Sequence, residues 1–194
     1  MIEYFTAHWL DICSTILGLA YILLEYKASV WMWVVGFIMQ LMGAVLYYQH
    51  GLYADSAMEL YYIGMTIYGF YSWKQVRGQK SERPITRISK DKLFKAMGVA
   101  LSAWLVIWII LSQFTPSKVP IADSFTTAFS IIGIWALARK YLEQWFIWIV
   151  VDVVTCALYF YKGIPFKASL YALYVIIAIA GYFRWRKLCM QDNK

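Results

Sequence analysis

Two carboxylates stand where a carboxylate is costly to hold. Asp152 lies in the middle of the run Trp-Ile-Val-Val-Asp-Val-Val-Thr, and Glu59 lies in Met-Glu-Leu-Tyr-Tyr. An ionisable side chain inside a membrane span costs about 2.5–3.5 kcal/mol on insertion scales, so each is a candidate functional group by default. Trp148 precedes Asp152 by four residues, which places it one helical turn away on the same face. A carboxylate beside an aromatic face suits a flat organic cation, because charge pairing, ring stacking and cation–π attraction act together and strengthen when water is excluded. Gln40, Glu59, Tyr62, Trp135, Trp148, Asp152 and Tyr171 form the candidate substrate-binding set. The plainer alternative locks Asp152 and Glu59 in interhelical hydrogen bonds, or pairs them with Lys140 or Lys162, and leaves each Trp to packing or lipid.

These residues need elements that cross a membrane. The chain has 194 residues, 62% hydrophobic and 15% charged, against roughly 45–50% and about 25% in soluble domains. A water-soluble fold could not cover that apolar surface. The net charge of +7 could suggest nucleic acid if it lay on one face, but it is concentrated in two places. Residues 74–95 carry +6 and the tail from Arg184 carries +3, leaving −2 for everything else. Short cytoplasmic loops have this pattern, so the partner is a lipid bilayer and not nucleic acid. Spans of about 17–25 mainly apolar residues are expected at Trp9–Leu24, Val30–Tyr48, Tyr53–Trp73, Lys95–Phe114, Ser124–Ala138, Trp145–Tyr161 and Ala168–Trp185. Placing the basic loop and tail on one side predicts a multi-pass protein of the plasma membrane, with its N-terminus outside and its C-terminus cytoplasmic.

Other chemistry finds little support. His8 and His50 lie near helix ends, and no metal-binding, phosphate-cradling or nucleophile-elbow motif is present, so an enzyme, a cofactor and a metal are all unexpected. Cys13, Cys156 and Cys189 read as small core hydrophobes. The N-terminus lacks the basic segment of a cleaved signal peptide, which predicts a retained first span. Trp31, Trp33, Trp73 and Trp185, near helix ends, are expected in the interfacial aromatic belts.

The chain also repeats itself. At an offset of 112 residues Asp11 meets Asp123, Thr15 meets Thr127, Trp33 meets Trp145, and Leu46-Tyr47 meets Leu158-Tyr159. Gly51 then meets Gly163, Tyr62 meets Tyr174, Ile67 meets Ile179, Gly69 meets Gly181, and Trp73 meets Trp185, with no gap. Residues 1–73 thus read as one three-helix repeat and 123–194 as the second with a basic tail, joined by the basic loop and linker helix of 74–122. The fold class is all-α, with seven transmembrane helices in a 3+1+3 arrangement. The odd linking helix gives both triplets one orientation, which makes this a parallel repeat.

The segments Gly51-Leu-Tyr-Ala-Asp55, Ile67-Tyr-Gly-Phe-Tyr-Ser-Trp73, Asp123-Ser124, Ser130-Ile-Ile132, Ala138-Arg-Lys-Tyr-Leu-Glu-Gln-Trp145 and Trp148-Ile-Val-Val-Asp152 together resemble the PnuC-type vitamin transporters, relatives of the SWEET facilitators. The resemblance covers nearly the whole chain. It implies a substrate site at the centre of a symmetric bundle, facilitated diffusion, a trimeric homo-oligomer, and trapping of the vitamin by a cytoplasmic kinase in bacteria. It also implies a cationic vitamin, nicotinamide riboside or thiamine. Similar nicotinamide riboside transporters tend to carry Asn where this chain has Asp152, and Gln where it has Glu59, so both departures add negative charge. The rival readings are a membrane sensor or scaffold without transport, whose partner would bind the 74–95 loop, and an intramembrane enzyme.

Overall fold

In the computed structural model, residues 16–49, 53–74, 83–115 and 119–192 are described, and nearly all of them are helical. The helices among them are α1 (Ile16–Tyr26), α2 (Trp31–Gln49), α3 (Tyr53–Lys74), α4 (Lys90–Phe114), α5 (Pro120–Ala138), α6 (Gln144–Tyr161) and α7 (Pro165–Asp192). The last four are long and apolar enough to cross a membrane. The expected contributions of His8, Asp11, Cys13, Thr15, His50 and Gly51 lie outside the described residues. The chain divides into two compact units, 1–83 and 84–194.

Three helices outrun their expected spans by several residues, α5 by beginning at Pro120 instead of Ser124. α4 begins at Lys90 instead of Lys95, and α7 continues through Asp192 instead of ending at Trp185. Hydropathy marks only the part of a helix that sits in hydrocarbon; Lys, Arg and Gln have good helix propensity and prolong the helix beyond it. Pro120 opens α5 at a position where its fixed φ is pre-organised for the helix and its missing N–H is not needed.

In the first unit α1 ends in a left-handed residue, Ala28 at φ 55°. The amide of Ala28 donates to the Glu25 carbonyl at 2.8 Å and that of Ser29 to the Leu24 carbonyl at 3.0 Å, the paired bonds of a Schellman termination. In the second unit α5 ends in the same way. Lys140 has φ 57°, its amide donates to Leu137 at 2.8 Å, and Tyr141 donates to Ala136 at 3.0 Å. Neither position is Gly, so the usual sequence signal for this turn is missing.

The α2–α3 and α6–α7 pairs are each closed by two tryptophans. Trp33 meets Trp73 edge-on with centroids 5.6 Å apart, and Trp145 meets Trp185 at 5.6 Å. All four are buried. The expectation that Trp33, Trp73 and Trp185 lie in interfacial belts is therefore corrected; only Trp31, 64% exposed, is free to do so. The reason is a glycine opposite each pair. A Cβ on Gly69 would run into the Trp33 ring, and one on Gly181 would sit 2.6 Å from the Trp145 ring. Glycine lets the indole enter the helix–helix gap, where it buries far more apolar area than at a membrane surface.

In the second unit α4 lies along α5 through Ala96 and Ala100, which meet Ile132, with Phe129, Trp135 and Ile147 around them. The Trp104 indole donates to the Ile121 carbonyl at 3.1 Å. The rest of α4 presents Phe94, Val99, Leu105 and Val106 outward, as a helix facing lipid does. Before α4, residues 84–89 form an extended strap tied to the α5–α6 turn. The Thr86 amide donates to Lys140 at 3.1 Å, Leu142 donates back to Thr86 at 2.9 Å, and the Ile88 amide donates to the Glu143 carboxylate at 2.9 Å.

Candidate functional site

One side of α6 carries Gln144, Trp148 and Asp152 at four-residue intervals. That spacing drifts about 40° per step and spans about 12 Å of helix axis. Asp152 is 6% exposed. Among the described residues its carboxylate has no hydrogen-bond or ion-pair partner. Lys162, one of the partners expected from sequence, is bonded to Asp123 at 2.8 Å instead. The Trp148 indole N–H is buried without an acceptor among the described residues. Gln144 is fully buried, and among the described residues both its amide nitrogen and its amide oxygen lack partners. A buried polar group left unsatisfied costs about 1–3 kcal/mol. The unsatisfied Gln144 and Trp148 groups, with the Asp152 carboxylate on the same helix side, make a track that a polar heteroaromatic solute can satisfy.

Gln144 was not in the expected set. Its signal was the Gln144–Trp148–Asp152 spacing, hidden because a glutamine at the edge of an apolar run reads as the end of a span.

α7 supplies the aromatic neighbours. Tyr171 stacks on Tyr159 of α6 at 5.4 Å and an interplanar angle of 20°, and meets Tyr174 edge-on at 5.6 Å. Tyr174 is close enough to Asp152 to interact with it electrostatically. Asp152 and Tyr171 are thus brought into one neighbourhood through Tyr174. Trp135 is placed elsewhere, tilted against Tyr141 at 5.7 Å and packed on the α4 cluster. The α5 residue that meets Trp148 is Gly133, where an added Cβ would lie 3.1 Å from the indole. Residues two apart on a helix point about 200° apart, so Trp135 faces away from Trp148.

In the first unit Gln40 accepts a hydrogen bond from Thr66 of α3 at 3.3 Å. The Glu59 side chain crosses Gly43, whose Cβ position lies 2.8 Å from a carboxylate oxygen, so a larger residue there would displace the flexible end of Glu59. Tyr62 meets the neighbouring Tyr61 ring edge-on at 5.6 Å. Gln40, Glu59 and Thr66 therefore belong to one α2–α3 seam. Its counterparts at the 112-residue offset are Asp152, Tyr171 and Ala178, so the polar contact that holds Gln40 has no equivalent at Asp152.

Residues 8–187 match the nicotinamide mononucleotide transporter family. The riboflavin/roseoflavin transporter RibM of Streptomyces davaonensis is 27% identical over 191 residues, covering 96% of this chain and 88% of that protein. The nicotinamide riboside transporter PnuC of Escherichia coli is 21% identical over 202 residues, covering 91% and 84%. The crystal structure of the vitamin B3 transporter PnuC has the same fold, with a TM-score of 0.74 at 21% identity over 98% of this chain and 87% of that one. The chain therefore belongs to the nicotinamide mononucleotide transporter family, a family of membrane transporters and not of enzymes.

Proposed function

We propose that this protein carries a flat, cationic heteroaromatic vitamin, nicotinamide riboside or thiamine, across the bacterial inner membrane by facilitated diffusion with alternating access. The observation that carries this reading is Asp152, a buried carboxylate that among the described residues has no hydrogen-bond or ion-pair partner, one turn from an indole whose N–H likewise has no acceptor there. A pyridinium or thiazolium supplies the missing charge and stacks on Trp148, and the buried site makes both interactions stronger than they are in water. Gln144 adds a donor and an acceptor for a carboxamide or aminopyrimidine edge. Tyr171 of α7, stacked on Tyr159 of α6, completes the proposed substrate contacts in the second unit. Riboflavin, named for one relative, is the rival: its ring system is flat but uncharged, so it needs Trp148 and not the charge of Asp152.

The frame for this reading is a 3+1+3 arrangement of seven spans in parallel repeat, with α4 as the link. It is supported by the matching turns and tryptophan pairs at the 112-residue offset. The basic loop and tail support a cytoplasmic C-terminus and an outer N-terminus. Trapping by a cytoplasmic kinase and assembly as a trimer belong to the same proposal.

The test is proteoliposome uptake of nicotinamide riboside, thiamine and riboflavin by the wild type, Asp152→Asn and Asp152→Ala. A cationic substrate predicts a loss of about tenfold or more, equivalent to about 1.4 kcal/mol per factor of ten, for the vitamin that the wild type carries. Unchanged uptake of every vitamin by Asp152→Ala sinks the role given to Asp152. Uptake of riboflavin alone, unaffected by Asp152→Asn, selects the rival.

A further inference from the structure

A cavity of about 380 Å³ in the second unit shares no residue with the α6 track. It is lined by Thr86 and Arg87 of the strap, Leu142 of the α5–α6 turn, and Arg186, Cys189 and Met190 at the polar end of α7. Leu142 and Cys189 are buried and give it an apolar wall. Arg87 and Arg186 are exposed, and among the described residues neither guanidinium has a partner.

Both arginines are held by structure on either side of them. The strap that bears Arg87 is fixed to the α5–α6 turn by the bonds of Thr86 and Ile88. Arg186 follows Trp185, which is locked against Trp145. In the first unit the residue matching Arg186 is Lys74, and its ammonium is engaged 4.6 Å over the Phe70 ring. A guanidinium presents a planar fork that pairs with phosphate oxygens through two hydrogen bonds, and two such forks beside an apolar wall select an anion that carries hydrocarbon.

We propose that this cavity binds a phosphate ester, with Arg87 and Arg186 on the phosphate and Leu142 and Met190 against its organic part. The phosphate can come from the headgroup of an anionic phospholipid, as basic clusters at the ends of spans commonly bind, or from a soluble phosphomonoester. The proposal does not depend on which vitamin is carried.

The full-length protein in nanodiscs of phosphatidylcholine doped with phosphatidylglycerol gives the lipid arm, read by native mass spectrometry as retained lipid. The detergent-solubilised protein with glycerol 3-phosphate gives the soluble arm, read by thermal shift. At least fivefold preferential retention of phosphatidylglycerol, lost in Arg87→Gln/Arg186→Gln and kept in Lys90→Gln, identifies a lipid headgroup. A thermal shift with glycerol 3-phosphate that the double variant loses, without preferential lipid retention, identifies a soluble ester. The melting temperature of the double variant in pure phosphatidylcholine checks its fold; if that falls, Arg186→Gln and Arg87→Gln are measured singly. Phosphatidylglycerol retention equal in wild type and variants, together with no response to glycerol 3-phosphate, overturns the proposal. Vitamin uptake is measured in parallel, and intact uptake with a failed lipid and phosphate result leaves only this inference rejected.

Discussion

In α2–α3 the edge of one tryptophan meets the face of another at 5.6 Å over a glycine, and α6–α7 repeats that contact at the same separation. One turn further along, the two pairs diverge. Met32, Gly36 and Gln40 in the first unit stand where Gln144, Trp148 and Asp152 stand in the second. The Tyr21 ring of α1 reaches over Gly36 of α2, with a Cβ there 3.0 Å from it. In the second unit the sizes are exchanged, and Trp148 of α6 reaches over Gly133 of α5. A second exchange joins each helix pair: the Ser56 hydroxyl donates to the Ala44 carbonyl at 3.0 Å, whereas the Cys156 thiol donates to the Ala168 carbonyl at 3.2 Å. Duplicated scaffolds keep helix spacing by conserving the sum of the volumes in a gap and not the side from which each comes. That freedom let one copy satisfy its polar residue internally, Gln40 by Thr66, while the other kept Asp152 without such a bond.

The largest effect should come from breaking what the two pairs share. Gly69→Ala and Gly181→Ala each force a Cβ into an indole, and overpacking of this kind costs about 1–3 kcal/mol. Thermal melting of the two variants in the same detergent should give similar losses. A glycine that tolerates alanine shows that its tryptophan pair is not locked in the way described. Gln144→Met places in the second unit the residue that the first unit has at position 32. Removing an amide that is buried and unpaired at both ends should stabilise the substrate-free protein by about 1–2 kcal/mol and weaken vitamin binding, as read by the ligand-induced thermal shift. A less stable variant means that Gln144 is satisfied after all. The smallest effect is that of Thr66→Ala, which makes the first unit resemble the second at this position. Loss of one neutral hydrogen bond should lower stability by about 0.5–1.5 kcal/mol, and an unchanged melting temperature denies the Thr66–Gln40 bond any net contribution.

Much of the helical plan was legible because hydropathy and charge act over whole segments. Helix existence follows from long apolar runs, whose polar ends hydropathy does not mark, as at Lys90–Lys95, Pro120–Asp123 and beyond Trp185. The tryptophans were misplaced because a residue near a span end is equally compatible with lipid headgroups and with a glycine across a helix gap. Only the partner helix distinguishes the two. Trp135 illustrates the converse: it is aromatic and apolar-flanked, yet the helix turns it toward Tyr141 and the α4 cluster while Gly133 meets Trp148.

The sequence by itself determined that the chain enters a membrane, that residues of its two halves match at an offset of 112, and that Asp152 and Glu59 are anomalous there, because composition, periodicity and the cost of burying charge are properties of residues and their order. Tertiary structure decided which polar groups are satisfied. Gln40 and Asp152 look alike as polar residues in mid-span, but one is bonded by Thr66 while the other, opposite an alanine at the matching position, has no such bond. Satisfaction depends on the residue across the helix gap, and that residue is fixed by packing and not by nearness in the chain.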